Sequence, residues 1–412
     1  MSELPLLIES PPSTTGRCAS GQAPAKLHVL FVSDVYFPRI NGVSTSIETF
    51  RGELMAAGHR VSLIAPHYQN VKEVIRAAAG IYRIPARAVP RDPEDRLMSY
   101  RSALGLAEAL RPQNVAVVHI HTPFVAHYAG LALARALGVP CVATYHTYFE
   151  EYLGHYLPFL PGAWVRAAAR RFSRAQCNDL DAVVVPSAAM REVLAGYGVS
   201  RPLTVLPTGI PTDFFSPGDG RRFRGEHGIA AERPMALFVG RVAFEKNIGF
   251  LLEVVARARR LVPGLLLVVA GEGPALPALR EQTEHLGLAG HVLFVGYLDR
   301  HSGLRDCYAA ADAFVFASRT ETQGLVLLEA MAQGVPVVGL AMMGTREIIL
   351  PQRGAVAAPD DVAGFARCLV DVLHEPSRRA ALALDAQQFA RQWSAAARAR
   401  ELAELYQSLL ET

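Results

Sequence analysis

Two basic side chains follow a short apolar run in the segment VGRVAFEKN. Arg241 and Lys246 lie between that run and a helix predicted to begin near Asn247, a residue type that caps helix N-termini. The free N–H groups and the dipole of a helix N-terminus attract anions, and two nearby cations strengthen the attraction. The segment therefore predicts a site for an anion such as a diphosphate. A solvated loop in which Lys246 pairs with Glu245 is the alternative.

Two carboxylates lie in the segment SRTETQGLVLLEAMAQGVPVV. Glu321 precedes a predicted helix and Glu329 lies inside it, while Gly324 at the helix start lets a ligand approach the backbone. Glu329 is surrounded by apolar residues, and a buried carboxylate is costly without a partner. A ribose or sugar hydroxyl could satisfy it. The alternative is a salt bridge, with Arg319 or Arg346 as partner.

Histidines and aromatic residues cluster in HIHTPF and TYHTYFEEYLGHYLP. The histidines are His119, His121, His146 and His155, and the aromatic residues are Tyr145, Tyr148, Phe149 and Tyr152. Neither an H-E-x-x-H motif nor a matching cysteine pair accompanies them, which disfavours a metal site. The cluster favours hydrogen bonding to sugar hydroxyls, with structural histidines as the alternative.

A basic helix is predicted in WVRAAARRFSRAQCN. Arg166, Arg170 and Arg174 share one helix face, with Arg171 beside them and Trp164 at the start. Basic amphipathic helices with an interfacial aromatic residue bind anionic lipid surfaces. The helix is therefore a candidate membrane contact, with a solvated helix face as the alternative.

The bulk composition excludes several classes of protein. Hydrophobic residues make up 51% of the 412 residues and charged residues 19%, which is typical of globular domains. A net charge of +3 gives no support for nucleic-acid binding. The five cysteines are scattered, which disfavours a disulfide framework and indicates a reducing compartment. Without a signal-peptide pattern or an apolar run of roughly 18 residues, we expect a cytoplasmic protein.

Strand and helix patterns alternate along the chain in two series separated by a Pro- and Gly-rich stretch. Continuous apolar strands that alternate with helices predict two α/β domains, each with a doubly wound parallel sheet, facing across a ligand cleft. The predicted divisions are a disordered lead-in at 1–25, an N-terminal domain at 26–210, a linker and hinge at 211–234, a C-terminal domain at 235–385 and a helix crossing back at 386–412.

Taken together, GRVAFEKN and the Glu321–Glu329 pair resemble the retaining glycosyltransferases of family 4, over roughly residues 27–390. This resemblance implies the GT-B fold, with two Rossmann-like domains. SDVYFPRINGVSTSI, HIHTPF, TYHTYFEEYLGHY and PTGIPTDFF also resemble a narrower branch, the bacterial diacylglycerol glucosyltransferases and lipid mannosyltransferases.

The resemblance also implies roles for individual residues. Arg241 and Lys246 would bind the donor diphosphate, which Gly42 would approach from the N-terminal domain. Glu329 would hold the ribose, and Tyr297 would lie against the base. His146 and Glu321 would contact the donor sugar. The backbone around Glu321 contributes to the same donor site through Thr322, Gln323, Gly324 and Leu325.

The activity implied is metal-independent transfer of a hexose, with retention, from a UDP- or GDP-linked sugar. The expected acceptor is a membrane lipid such as diacylglycerol or a glycosyl-diacylglycerol, reached from the inner face of the cytoplasmic membrane. A soluble or polyprenyl-linked glycan acceptor and a nucleotide-sugar epimerase remain alternatives. A non-catalytic nucleotide-sugar-binding protein is the fourth hypothesis. Such a protein has little need of all four charged residues of the predicted site, which are Arg241, Lys246, Glu321 and Glu329.

Overall fold

The computed structural model describes residues 26–68, 80–89, 92–148, 150, 162–300 and 302–411. The strands are β1 (His28–Val32), β2 (Arg60–Pro66), β3 (Ile81–Ile84), β4 (Ala86–Val89), β5 (Asp92–Met98), β6 (Val117–Ile120), β7 (Cys141–Thr144), β8 (Ala182–Val185), β9 (Leu203–Val205), β10 (Met235–Val239), β11 (Leu266–Ala270), β12 (Val292–Gly296), β13 (Ala313–Phe316), β14 (Val337–Gly339) and β15 (Ala355–Ala357). The α-helices are α1 (Gly42–Ala56), α2 (Tyr100–Leu104), α3 (Ala107–Leu110), α4 (Val125–Leu137), α5 (Gly162–Asn178), α6 (Ala188–Gly196), α7 (Gly220–Glu226), α8 (Ile248–Ala258), α9 (Leu276–His285), α10 (Gly303–Ala309), α11 (Leu325–Ala332), α12 (Arg346–Ile349), α13 (Val362–His374), α14 (Pro376–Ala390) and α15 (Ala395–Leu410).

Two parallel sheets organise the protein. The first has the strand order β3-β2-β1-β6-β7-β8-β9 and the second β12-β11-β10-β13-β14-β15. The central strands β1 and β10 are buried along their whole length, because helices cover both faces of each sheet. The predicted α/β class with two Rossmann-like sheets is confirmed. An antiparallel hairpin, β4–β5, lies beside the first sheet.

The predicted linker at 211–234 contains ordered structure. A 3-10 helix spans Thr212–Phe215 and α7 follows it, packed on α10 of the second domain. Arg222 of α7 forms an ion pair with Asp306, and a Cβ on Gly218 would lie 2.4 Å from the Arg305 carbonyl oxygen. Most of this segment is therefore part of the second domain, a feature that its Pro, Gly and charge content did not reveal.

The last part of the chain is two helices where the sequence predicted one from residue 386. Helix α14 ends at Ala390 and packs on α11 of the second domain. Ser394 then caps α15, its side chain accepting from the Ala397 N–H, and α15 packs on α1 of the first domain. A new N-cap interrupts the helical pattern, so the chain returns to the first domain at residues 391–394.

The two passages of the chain between the domains lie side by side. The Ile210 N–H donates to the Trp393 carbonyl at 2.6 Å, and the Ala395 N–H donates to the Ile210 carbonyl at 3.1 Å. Within the described ranges, no helix has the length and apolarity that crossing a bilayer requires.

The close contact of these passages predicts a destabilising substitution. A Cβ on Gly209 would lie 2.4 Å from the Ala395 Cα. We expect Gly209→Ala to lower the free energy of unfolding by about 1–3 kcal/mol through overpacking, measured by denaturant titration. Gly52→Ala is the matched control. It lies in the middle of α1 with open space around it, and should stabilise by about 0.5–1 kcal/mol. Equal effects would contradict the prediction.

Candidate active site

A cleft of about 750 Å³ separates the carboxyl ends of the strands in the two sheets. The structure places every residue predicted for the site around it: Gly42, His146, Arg241, Lys246, Tyr297, Glu321, Thr322, Gln323, Gly324, Leu325 and Glu329. Parallel strands bring their carboxyl ends to one edge, so residues distant in sequence meet there.

Lys246 and Glu321, both predicted site residues, form an ion pair. The Lys246 Nζ lies 2.5 Å from the Glu321 Oε2, so the alternative pairing of Lys246 with Glu245 is wrong. The predicted N-cap is also wrong in detail. Asn247 has φ 55° and makes no side-chain cap, and its amide donates to the Ala317 carbonyl instead.

The backbone conformation of two glycines allows Arg241, which comes two residues after β10, to line the cleft. Gly240 has φ 151° and Gly271, after β11, has φ 135°, values that residues with a side chain rarely adopt. A Cβ on Gly271 would lie 2.0 Å from the Gly240 carbonyl oxygen. This close approach of the two strand ends places Arg241 on the cleft wall opposite the first domain.

The N-terminus of α11 faces the same cleft. Gly324 precedes it with φ 91°, and the backbone of residues 322–325 lines the cavity. Helix N-termini stabilise negative charge. Arg241, Lys246 and the α11 N-terminus are the groups on this wall that attract an anion, and they lie beside the carboxylate of Glu321.

The Gln323 side chain connects the domains. Its Oε1 accepts from the Thr208 N–H at 2.9 Å and its Nε2 donates to the Thr208 carbonyl at 2.7 Å. The neighbouring Thr322 hydroxyl donates to the His146 carbonyl at 3.0 Å. Because both ends of the Gln323 amide are bound in this way, Gln323 offers a ligand only its backbone.

Glu329 is almost fully buried, and its carboxylate is satisfied by Arg300 of the cleft and by the buried Tyr308. Arg300 Nη2 lies 2.6 Å from one carboxylate oxygen, and the Tyr308 hydroxyl donates to the other at 2.8 Å. Burial, then the Glu329 carboxylate, raises the pKa of Tyr308 well above its usual value. Burial alone would lower the pKa of Arg300, but Glu329 opposes it and the pKa is raised. The predicted salt bridge to Arg319 or Arg346 is wrong in its partner, since Arg319 pairs with Asp360.

The histidines divide into one structural residue and two residues at the cleft. His119 is bonded at both nitrogens, to the Tyr406 hydroxyl at 2.5 Å and to Thr144 at 2.8 Å. His121 and His146 line the cleft and lie 3.2 Å apart. Burial is the main cause that lowers the pKa of His119 to about 3 and that of His146 to about 4, so both are neutral at pH 7. Phe149, Tyr152 and His155 lie outside the described residues.

Tyr297 of the second domain and Gly42 of the first domain line the cleft from opposite sides. Tyr297 is 39% exposed, and Arg39 Nη1 lies 3.5 Å from its hydroxyl. Gly42 begins α1 after Asn41, whose side chain caps the helix, and a Cβ on Gly42 would meet nothing within 4 Å. Among the described residues, no group of three or more His, Cys, Asp or Glu side chains is arranged to hold a metal ion.

The arginines of α5 lie outside the cleft. Arg170 is held by Glu150 through two hydrogen bonds, at 3.0 and 2.6 Å, and Arg166 lies 4.0 Å from the same carboxylate. Arg171 and Arg174 are exposed, and Trp164 is 77% exposed. Arg170 is therefore occupied by an ion pair within the protein. Arg171 and Arg174 remain as an exposed basic surface on the helix that begins near Trp164.

Sequence reasoning missed Arg300 and Tyr308, and it named His121 only as a member of the histidine cluster. Arg300 follows Tyr297 by three residues after β12, and a basic residue at a strand's carboxyl end was the available signal. No local pattern connects Arg300 or Tyr308 with Glu329, because they meet only through tertiary packing.

The buried pair predicts a stability effect in the ligand-free protein. Glu329→Gln keeps the shape and an acceptor for Tyr308 but leaves the Arg300 charge without its carboxylate. Breaking a buried pair costs about 3–5 kcal/mol, and because Arg300 is partly exposed we expect the lower end. Thermal unfolding measures the loss, with the exposed Glu253→Gln as control. An unchanged melting temperature would show that Glu329 does not hold the domain together.

Comparison with known proteins agrees with this architecture. Residues 40–214 match the model for Glycosyltransferase Family 4, and residues 219–389 match that for Glycosyl transferases group 1. The α-monoglucosyldiacylglycerol synthase of Streptococcus pneumoniae is 34% identical over 313 residues, 74% of this chain and 69% of that protein. A GDP-mannose-dependent α-(1-6)-phosphatidylinositol monomannoside mannosyltransferase of Mycolicibacterium smegmatis is 31% identical over 92% of this chain and 97% of its own length.

Solved structures show the same fold. Sucrose-phosphate synthase of Thermosynechococcus elongatus has a TM-score of 0.76 at 21% identity, covering 94% of this chain and 100% of that chain. HepE of Anabaena, solved with UDP, has a TM-score of 0.73 at 18% identity, covering 93% of this chain and 100% of that chain. The chain belongs to the family 4 glycosyltransferases and is a hexosyltransferase of the GT-B fold.

Proposed function

We propose that this enzyme transfers a hexose, with retention, from a UDP- or GDP-linked sugar to a hydroxyl of a membrane lipid, diacylglycerol or a glycosyl-diacylglycerol. The observation that carries the donor half is that Arg241, Lys246 and the α11 N-terminus lie together on one wall of the cleft. The lipid half is supported by the two relatives, whose names specify a monoglucosyl-diacylglycerol product and a phosphatidylinositol monomannoside acceptor.

The proposed chemistry needs charge stabilisation at the leaving group. As the bond between the sugar's anomeric carbon and the diphosphate breaks, negative charge grows on the diphosphate. Preorganised cations and helix N–H groups stabilise such charge without reorganisation, so Arg241 and Lys246 do this without a metal. The acceptor hydroxyl attacks the same face of the sugar, and its proton passes to the departing phosphate oxygen. If a slow donor left a glycosylated side chain on the enzyme, this same-face mechanism would be wrong.

The donor and acceptor are tested together by nucleoside diphosphate release in EDTA. We expect release from one UDP- or GDP-hexose to increase when vesicles contain diacylglycerol. Lys246→Gln should lower kcat by about 10²–10³, the effect of removing one preorganised donor, without lowering the melting temperature much. The control is Arg260→Gln, at an exposed position two residues after the end of α8.

Other results separate the alternatives. Release that ignores lipid but responds to soluble or polyprenyl-linked glycans would move the acceptor to that class. Interconversion of the donor without release would indicate an epimerase. Binding of the donor without either reaction would indicate a non-catalytic protein.

The membrane half of the proposal depends on the exposed face of α5. The helix carries four arginines and no acidic residue, and among the described residues Arg171 and Arg174 have no ion-pair partner. Each basic residue near an anionic surface contributes about 1 kcal/mol. We therefore expect Arg171→Glu with Arg174→Glu to lower binding to anionic vesicles roughly tenfold or more in a flotation assay. The reversals Arg257→Glu and Arg260→Glu, in the second domain, are the matched control, and equal losses from both pairs would refute the assignment.

A further inference from the structure

A row of histidine rings runs from the C-terminal helix to the cleft. Tyr406 of α15 is fully buried, and its hydroxyl lies 2.5 Å from His119 Nδ1. The other nitrogen of His119 is bonded to Thr144 at 2.8 Å. Two hydrogen bonds fix the His119 ring, which therefore offers a rigid surface to its neighbour.

His121 is held against that surface. Its ring stacks on His119 with centroids 4.3 Å apart, and the Phe31 ring meets it edge-on at 4.6 Å. Only 2% of His121 is exposed. Its Nδ1 lies 3.2 Å from His146 Nε2. Packing on two sides and one hydrogen bond therefore set both the position and the orientation of the ring.

The second nitrogen of His121 is unsatisfied. Within the described part of the chain, Nε2 is buried and has no hydrogen-bond partner, although the residue lines the cleft. If His146 donates to His121 Nδ1, His121 Nε2 carries a hydrogen without an acceptor. If His121 donates instead, Nε2 is an acceptor without a donor. Buried polar groups of this kind require an explanation, and a ligand in the cleft supplies one for either tautomer.

We propose that His121 is a substrate-binding residue, and that its Nε2 forms a hydrogen bond with a hydroxyl of the donor hexose or of the acceptor. His146, which the sequence singles out, then has a second role, because its contact with Nδ1 sets the tautomer that His121 presents. The proposal rests on the transfer reaction proposed above, and goes beyond it by assigning this contact to one atom.

A hydroxyl suits this position better than the diphosphate. Burial, then the neighbouring His119 and His146, lowers the pKa of His121 well below its usual range, so the ring is neutral at pH 7. A neutral imidazole nitrogen can pair with a hydroxyl as donor or as acceptor, whichever tautomer is present. Arg241 and Lys246, the cations expected to bind the diphosphate, lie on the opposite domain, and the cleft arginines of the first domain are Arg39 and Arg96.

Two substitutions separate this role from a structural one. An asparagine amide reaches the place of Nδ1 and keeps the contact with His146, whereas a glutamine amide reaches the place of Nε2. We expect His121→Asn to lower kcat/KM roughly tenfold, the loss of one neutral hydrogen bond to a ligand, and His121→Gln to recover most of that loss. His285→Asn, on the exposed end of α9, is the control and should match the wild type.

The reverse order, with Asn active and Gln inactive, would show that His121 acts only by holding His146. Equal activity of both variants and the wild type would show that Nε2 touches no substrate. Donor hydrolysis without acceptor distinguishes the two sources of the hydroxyl. A fall in hydrolysis and transfer together assigns it to the hexose, and a rise in acceptor KM alone assigns it to the acceptor.

Failure of this inference differs from failure of the proposed function. If the wild type is active and His121→Asn has the same kcat/KM, the inference is wrong while the proposed function stands. If the wild type releases nucleotide from no donor, equilibrium binding of the UDP- and GDP-hexoses replaces kinetics as the readout. Equal affinities of both variants and the wild type for every hexose donor bound, and for vesicles that contain diacylglycerol, would then overturn the inference. Weaker binding of either by His121→Asn alone would support it.

Discussion

The geometry of the cleft depends on one local constraint, the adjacency of the two chain passages between the domains. Ile210 of the first passage exchanges backbone hydrogen bonds with Trp393 and Ala395 of the second. Gly209 has no side chain at the point where the passages touch, so they approach to backbone contact. Any rotation of one domain against the other must occur about these two connecting segments. Because the segments lie side by side, the carboxyl ends of both sheets stay facing each other.

Two charged residues that line the cleft are held by other protein side chains. Glu329 is bound by Arg300 and Tyr308, and Lys246 is bound by Glu321. Pairing removes much of the cost of holding charges in a partly buried place. It also fixes the positions of the side chains, so the cations of the proposed diphosphate site need little rearrangement to bind an anion. The Glu329–Arg300 pair therefore stabilises the domain, and both pairs prepare the site.

The sequence was sufficient for the features that depend on local pattern. Apolar strands alternating with helices predicted both sheets, and the strand ends located Arg241 and Lys246. Features that depend on tertiary contact were out of reach. Nothing near Glu329 indicates Arg300 as its partner, and nothing near Gln323 indicates that its amide is bound to Thr208. The Pro- and Gly-rich segment after Ile210 was similarly misjudged, because its helix is stabilised by the second domain.

The side-chain contacts between the domains lie at different distances from the two segments of the chain that cross between the domains. Thr208, bound by Gln323, lies two residues before Ile210, so this contact is close to the axis of any rotation. The contact between Thr322 and His146 lies inside the cleft, beside His121. A rotation changes distances least near its axis and most away from it. Opening the cleft would therefore preserve the Gln323 contact longest and release the His146 contact first. His121 and His146 would move with the first domain, because Phe31 packs on His121 and His146 is bonded to His121.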